Sequence, residues 1–267
     1  MGAEQRDRQD TLYVAAAPPK TLSDELLKKA ASLIGKDIAD TRLLLAGELP
    51  RVLASMPDSA TAESTARGLQ DAGFVAFVCG DSELRNRAES FLARTVIPAE
   101  RAVTFRDRHG GEVVIEAGDA FLIIRGKLRA AAPENTSTTK MKLNVTATVL
   151  TGGLPIMRRV TKETTRESSQ AEDFMAIYDR RSSDPRVEMS RSQMDYAFLG
   201  PELTPFALAN FEIVAKKLRE WFPPAIFDDR LSRHFKTDLP SEGPGEALEI
   251  NRKLIYLNYL AMERRAR

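Results

Sequence analysis

Cysteine is almost missing from this chain: Cys79 is the only one in 267 residues. No intramolecular disulfide can form. A thiol closing the apolar run Phe74-Val75-Ala76-Phe77-Val78 reads as a buried structural group rather than a nucleophile. A reducing, cytoplasmic setting is expected from that usage. Histidine is nearly as scarce. His109 and His234 cannot build a conventional zinc cluster with one thiol, so neither metal nor cofactor is expected. An excess of one charge is lacking too: 39 Lys and Arg stand against 38 Asp and Glu, and no global field recruits nucleic acid or membrane. No apolar run approaches the ~18 residues of a spanning helix. The polar start MGAEQRDRQD lacks the apolar core of a signal peptide, and none is expected.

Catalytic signatures are missing as well. There is no Walker A, G-x-G-x-x-G or H-E-x-x-H pattern and no G-x-S-x-G elbow. Ser232 and His234 suggest a nucleophile and base, but residues two apart diverge on a helix and share a face only on a strand. His109 belongs to a glycine turn. Asp179 and Asp184 bracket Arg180-Arg181-Ser182-Ser183, whose arginines oppose a bound cation, so a solvated loop is expected there. No residue is assigned a catalytic role.

What is present is order, most of all between residues 11 and 80. Thr11-Leu12-Tyr13-Val14-Ala15 predicts a strand, and Leu22 to Ile34 a helix opened by Thr21 or Ser23 and ended by Gly35. From Asp37 to Gly80 the pattern predicts helix, short strand, helix, strand. Asp58 or Ser59 caps the second of these helices and Gly73 ends it. Ala62, Ala66, Leu69 and Ala72 form a small-residue stripe that lets this helix lie close on a sheet. This order of strand, two helices, strand, helix, strand resembles the C-terminal domain of bacterial ribosomal protein L7/L12. The resemblance implies a βααβαβ fold with a helix-faced docking surface, which in that family meets translation factors. The lysines that serve there are not reproduced: residues 37–80 hold only Arg42, Arg51 and Arg67 as cations.

Residues 1–10 read as a flexible tail and 81–101 as a charged connector with a short helix near 82–93, stopped by Pro98. After residue 102 the apolar period becomes two. Strands are expected at 102–105 and 113–115 around the Gly110-Gly111 turn, at 120–124 and at 141–150. Shorter ones follow near 156–160, 173–178, 186–190 and 195–198. Polar loops are expected at 132–139 and 161–171, both rich in Ser and Thr. Thr204 with Pro205 predicts a helix start, and Phe211, Val214, Leu218 and Trp221 its inner face. Strands closed by one helix over 102–238 resemble the pleckstrin-homology-like (PH-like) plan. That resemblance implies an antiparallel β-barrel or sandwich. After the break 239–245, a C-terminal helix over 246–267 presents Ile250, Leu254, Ile255 and Leu257, predicted to pack on another domain of this chain or on a second copy.

The strongest local charge lies between residues 125 and 166. Arg125, Lys127, Arg129, Lys140, Lys142, Arg158, Arg159, Lys162 and Arg166 face only Glu134 and Glu163. Converging on one mouth, they would hold an anionic lipid headgroup or a phosphate ligand; dispersed, they are a solvated rim. No aromatic ladder interleaves them, which disfavours single-stranded nucleic acid. The expectation is therefore an α+β protein of the bacterial cytoplasm, a non-enzymatic protein-interaction or adaptor module. The alternatives are an anionic-ligand or membrane-surface binder and an enzyme of unrecognised type.

Overall fold

A computed structural model describes residues 10–19, 21–143, 157–233 and 239–266, with side chains described outside 129–170. It contains both helices and sheets, an α+β arrangement. The chain divides into two compact units, one formed by residues 1–128 and 172–267 and the other by 129–171.

The first unit begins with β1 (Leu12–Ala17), α1 (Asp24–Ile34), α2 (Ile38–Leu44), β2 (Arg51–Met56), α3 (Ser59–Asp71) and β3 (Val75–Gly80). Each boundary has a local cause. The Ser23 and Asp58 side chains accept the backbone N–H groups of Leu26 and Thr61, and Gly35 takes φ 66° at the end of α1. β1 is the central strand, antiparallel to both β2 and β3. Its apolar run LYVAAA is covered on both faces. Val14 and Ala16 meet Leu27, Ala30, Ala62, Ala66 and Leu69 of the helices. A Cβ on Gly68 would lie 2.7 Å from Leu33, so the small residues of α3 are what allow its close approach to α1.

The charged stretch after β3 differs from expectation. Its helix, α4, is only Asp81–Arg85. Phe91–Leu92 is instead a short strand, β4, paired parallel to β10 (Val187–Ser190). Leu84 is fully buried, whereas Leu92 is half exposed; one apolar anchor does not sustain three turns of helix. Next come β5 (Thr95–Pro98), β6 (Ala102–Arg106) and β7 (Glu112–Glu116), an antiparallel three-stranded sheet with Gly110 at φ 84° in the β6–β7 turn.

β8 (Leu122–Leu143) and β9 (Met157–Tyr178) are neighbours in a five-stranded sheet of order β11-β8-β9-β10-β4. Both segments expected as Ser/Thr loops therefore have strand backbone. Thr136, Thr138, Thr139, Thr161, Thr164 and Thr165 are β-branched and suit a strand, a preference that polarity alone conceals. The expected strand 141–150 lies outside the described residues beyond 143.

Two further expectations fail at the end of the strand series. Residues Ala197–Glu202 form a 3-10 helix rather than a strand, turning at Gly200 with φ 54°. The following helix, α5 (Ala207–Trp221), starts after Phe206, not at Thr204. The buried Asn210 side chain explains this. Its Oδ1 accepts the Thr204 N–H and hydroxyl, both at 2.8 Å, and its amide donates to the Thr204 carbonyl, so Thr204 is tied ahead of the helix. After Pro223-Pro224 the chain makes an unexpected strand, β11 (Ile226–Leu231), parallel to β8. With two parallel pairings and two separate sheets, the described residues form no closed barrel. Val96, Val103, Phe105 and Ile115 of one sheet share a core with Ile123, Met175, Ile177, Val187 and Met189 of the other and with Phe211, Val214 and Leu218 of α5.

The last helix, α6 (Pro244–Ala266), joins the layers. Ile250 and Leu254 pack on Ala15, Val52, Phe77 and Cys79, the face of the first sheet that α1–α3 leave open. Leu248, Ile255 and Tyr256 pack on Phe121, Leu122, Ile124, Phe174, Ala176 and Tyr178 of the five-stranded sheet. Leu257, partly buried, touches both cores. Ile255 therefore opens a second apolar face and does not merely widen the first. Ile250→Ala and Ile255→Ala should each lower the unfolding free energy by about 2–5 kcal/mol in urea titrations. A helix that served one sheet only would show that loss at one position and almost none at the other.

Candidate functional site

Of the basic residues singled out in the sequence, Arg125 and Lys127 fall among the described side chains. Arg125 makes a two-pronged pair with Glu212, one contact at 2.7 Å, and this bond holds the Glu212 carboxyl below the usual carboxylate range against the opposing effect of burial. Lys127 lies 3.9 Å from buried Asp173, which Arg191 also contacts at 2.8 Å. Both cations thus face acids. Arg129, Lys140, Lys142, Arg158, Arg159, Lys162 and Arg166 lie outside the described side chains, as does His234.

The remaining candidates are also placed. His109 is exposed in its turn and accepts from Arg108 Nε at 2.9 Å. The Ser232 hydroxyl is buried without a hydrogen-bond partner among the described residues. Asp179 is approached by Arg186 at 3.8 Å and Asp184 by Lys253 at 3.1 Å, so cationic side chains already face both carboxylates. Among the described residues no group of three His, Cys, Asp or Glu could hold a metal. Burial pushes the Cys79 thiol up to about 12, helped by the nearby carboxylates of Glu83 and Asp10.

Charge is buried on α6 itself. Arg252, 2% exposed, donates to the Tyr178 hydroxyl at 2.8 Å, Glu249 at 2.8 Å and Glu188 at 2.9 Å. Lys253 donates to the carbonyls of Glu83, at 2.9 Å, and Asn86. Burial raises the Tyr178 hydroxyl well above its ordinary value, so it stays a neutral acceptor. Each guanidinium nitrogen of Arg252 and the Lys253 ammonium is therefore engaged within the chain.

The open surface lies along β3. In the β1–β3 ladder Tyr13 faces Cys79 and Ala15 faces Phe77, and the Asp81 N–H continues the inward series by donating to the Thr11 carbonyl at 2.8 Å. By the alternation of an antiparallel ladder, the backbone groups of Ala76 and Val78 point away from β1, to the free edge. Part of that edge is capped by side chains. Gln70 Nε2 donates to the Ala76 carbonyl at 2.8 Å, and Arg265 Nη1 donates to the Phe74 carbonyl at 3.1 Å. Val78, half buried, has no such cap among the described residues.

A hollow of about 760 Å³ follows this edge between α3 (Glu63, Arg67, Gln70) and the end of α6 (Ala261, Arg264, Arg265). A second, of about 450 Å³, continues past Phe77 and Val78 to Tyr256, Leu260 and the loop Arg180-Arg181-Ser182-Ser183. The two share Phe77, Val78, Ala261 and Arg264 and form one groove. Phe77, Val78, Leu260 and Ala261 line it together with polar and charged side chains. Arg180 is held by Glu263 at 3.1 Å and lies over the Phe121 ring. Arg67, Arg181 and Arg264 meet no carboxylate within ion-pair distance among the described residues, while Glu63, Asp71 and Glu83 are the acids of the lining. Toward the 180–183 loop, Arg181 and Arg264 share the lining with Glu83 as its one acid. Sequence reasoning missed this convergence, since α3, β3, the 180–183 loop and the C-terminal basic run are distant in the chain. The basic end after Met262 was its one visible sign.

Compared with known proteins, the chain matches no family model, no curated protein and no solved structure.

Two substitutions check this placement. Arg252→Ala should cost about 3–5 kcal/mol in urea melts, because Glu188 and Glu249 lose a shared buried partner. Arg252→Lys should restore only part of it, since an ammonium cannot fork to three acceptors at those separations. At pH 8, Cys79 should resist Ellman's reagent in the folded protein and react fully in denaturant. Rapid reaction of the native protein would contradict a thiol held at about 12.

Proposed function

We propose that this chain is a non-enzymatic protein-interaction module whose docking face is the groove along β3 and the end of α6. The observation that carries this reading is the conjunction of a groove where Phe77, Val78, Leu260 and Ala261 lie among polar side chains, a strand edge at Val78 with no side-chain cap among the described residues, and Arg181 and Arg264 with no ion-paired acid among them. Free surfaces of this kind are what recognition uses: an apolar centre supplies affinity, and charge at its border supplies orientation and rate. The buried cluster on α6 engages its own carboxylates and supports packing rather than chemistry.

Charge complementarity selects an acidic partner segment. The test is display of a random peptide library against the immobilised full chain. Enriched peptides should carry Asp or Glu, and their affinity should fall about tenfold or more for Arg181→Glu with Arg264→Glu, and also as salt rises. Enrichment that ignores charge, or survives unchanged in the double variant, would remove the groove from consideration.

A further inference from the structure

We infer that the partner binds as an added β-strand: an extended acidic peptide segment pairs its backbone with the free edge of β3 and sets its carboxylates against Arg181 and Arg264. This rests on the docking reading above and specifies how the groove is used.

The register of the first sheet carries the inference. Because Cys79, Phe77 and Val75 face β1, the N–H and C=O of Val78 point into the groove, and an incoming strand can bond both. The groove has the shape this mode requires, a strand edge with a helix on either side: α3 flanks one face and α6 the other. Side chains of an added strand alternate between those faces. On the α6 side they would meet Tyr256, Leu260 and Ala261, which suits apolar residues at every second position. Where the groove passes the 180–183 loop, Arg181 and Arg264 suit carboxylates of the same segment. A peptide helix would leave the outward Val78 groups unpaired. A basic or neutral segment would leave the arginines unpaired.

The test uses the full chain and a fluorescent probe peptide, Asp-Glu-Val-Thr-Val-Thr-Val, read by anisotropy. Two versions are N-methylated, one at its valines and the other at its threonines. One version should lose binding by about tenfold or more, and the other should bind within about twofold of the parent, since only alternate N–H groups face β3. Val78→Pro should abolish binding while leaving the β1 ladder intact, because the N–H it removes points outward; circular dichroism checks the fold. Equal binding of both methylated versions would overturn strand addition yet leave charge-dependent docking standing. A probe bound no better than its Lys-Lys counterpart would overturn both. Sedimentation that showed the chain pairing with a second copy through this edge would overturn the acidic-peptide assignment.

Discussion

The burial of α6 between two sheets is the constraint on which the first unit depends. The helix covers a face of each: Ala15, Val52 and Phe77 meet Ile250 and Leu254, while Phe121, Phe174 and Tyr178 meet Leu248 and Ile255. A helix so placed cannot have one polar side, yet its sequence carries Arg252 and Lys253 in the middle. Burying those charges is costly unless every donor finds a partner. Arg252 finds Glu188, Glu249 and Tyr178; Lys253 finds Asp184 and two carbonyls. Such pairs add little net stability against an apolar replacement. What they fix is register. Slid by one turn, the helix would leave Arg252 and Glu188 buried apart, whereas its leucines and isoleucines would find new neighbours at small cost.

That arrangement explains why the N-terminal elements were legible in the sequence and the rest less so. Caps at Ser23 and Asp58 and the turn at Gly35 are local decisions, taken within four residues, and they appear in the letters. The strands after residue 120 answer to non-local pairing. β11 carries Asp228, Asp229 and Arg230, which breaks any apolar alternation. Asp228 is nevertheless buried, because Arg230 contacts it at 2.6 Å and reaches the Glu48 carbonyl as well. Thr204 and Pro205 form a sound helix start by local rules. Asn210, in the first turn of the helix, overrides them by occupying the groups that a cap would use.

The candidate groove was less legible still, for the same reason in a stronger form. Its cations come from α3, from the loop after β9 and from the last turns of α6, separated by up to two hundred residues of chain. A window of sequence shows each as an ordinary solvated charge. The denser basic segment from 125 to 166 drew attention by adjacency instead, yet its two described members are engaged by Glu212 and Asp173. Density along the chain and availability in space are different properties. Only the second recruits a ligand.

The groove and the core are products of one helix. Long enough to cover both sheets, α6 runs past the end of the buried stretch, and its final turns overhang the edge of β3. There Arg265 caps the Phe74 carbonyl and stops, leaving Gln70 to cap Ala76 and nothing comparable at Val78 among the described residues. Proteins commonly close such edges with a strand, a bulge or a buried charge, because an open one invites pairing. This edge is closed by single side-chain hydrogen bonds, each worth about 0.5–1.5 kcal/mol net. An incoming backbone that offers equivalent bonds displaces them at almost no enthalpic loss. On the proposed docking mode, the arginines beside this edge repel basic segments and reward acidic ones. Core and proposed docking edge are therefore coupled: a shift of α6 that disturbed the Arg252 network would also move the Arg265 cap on the Phe74 carbonyl.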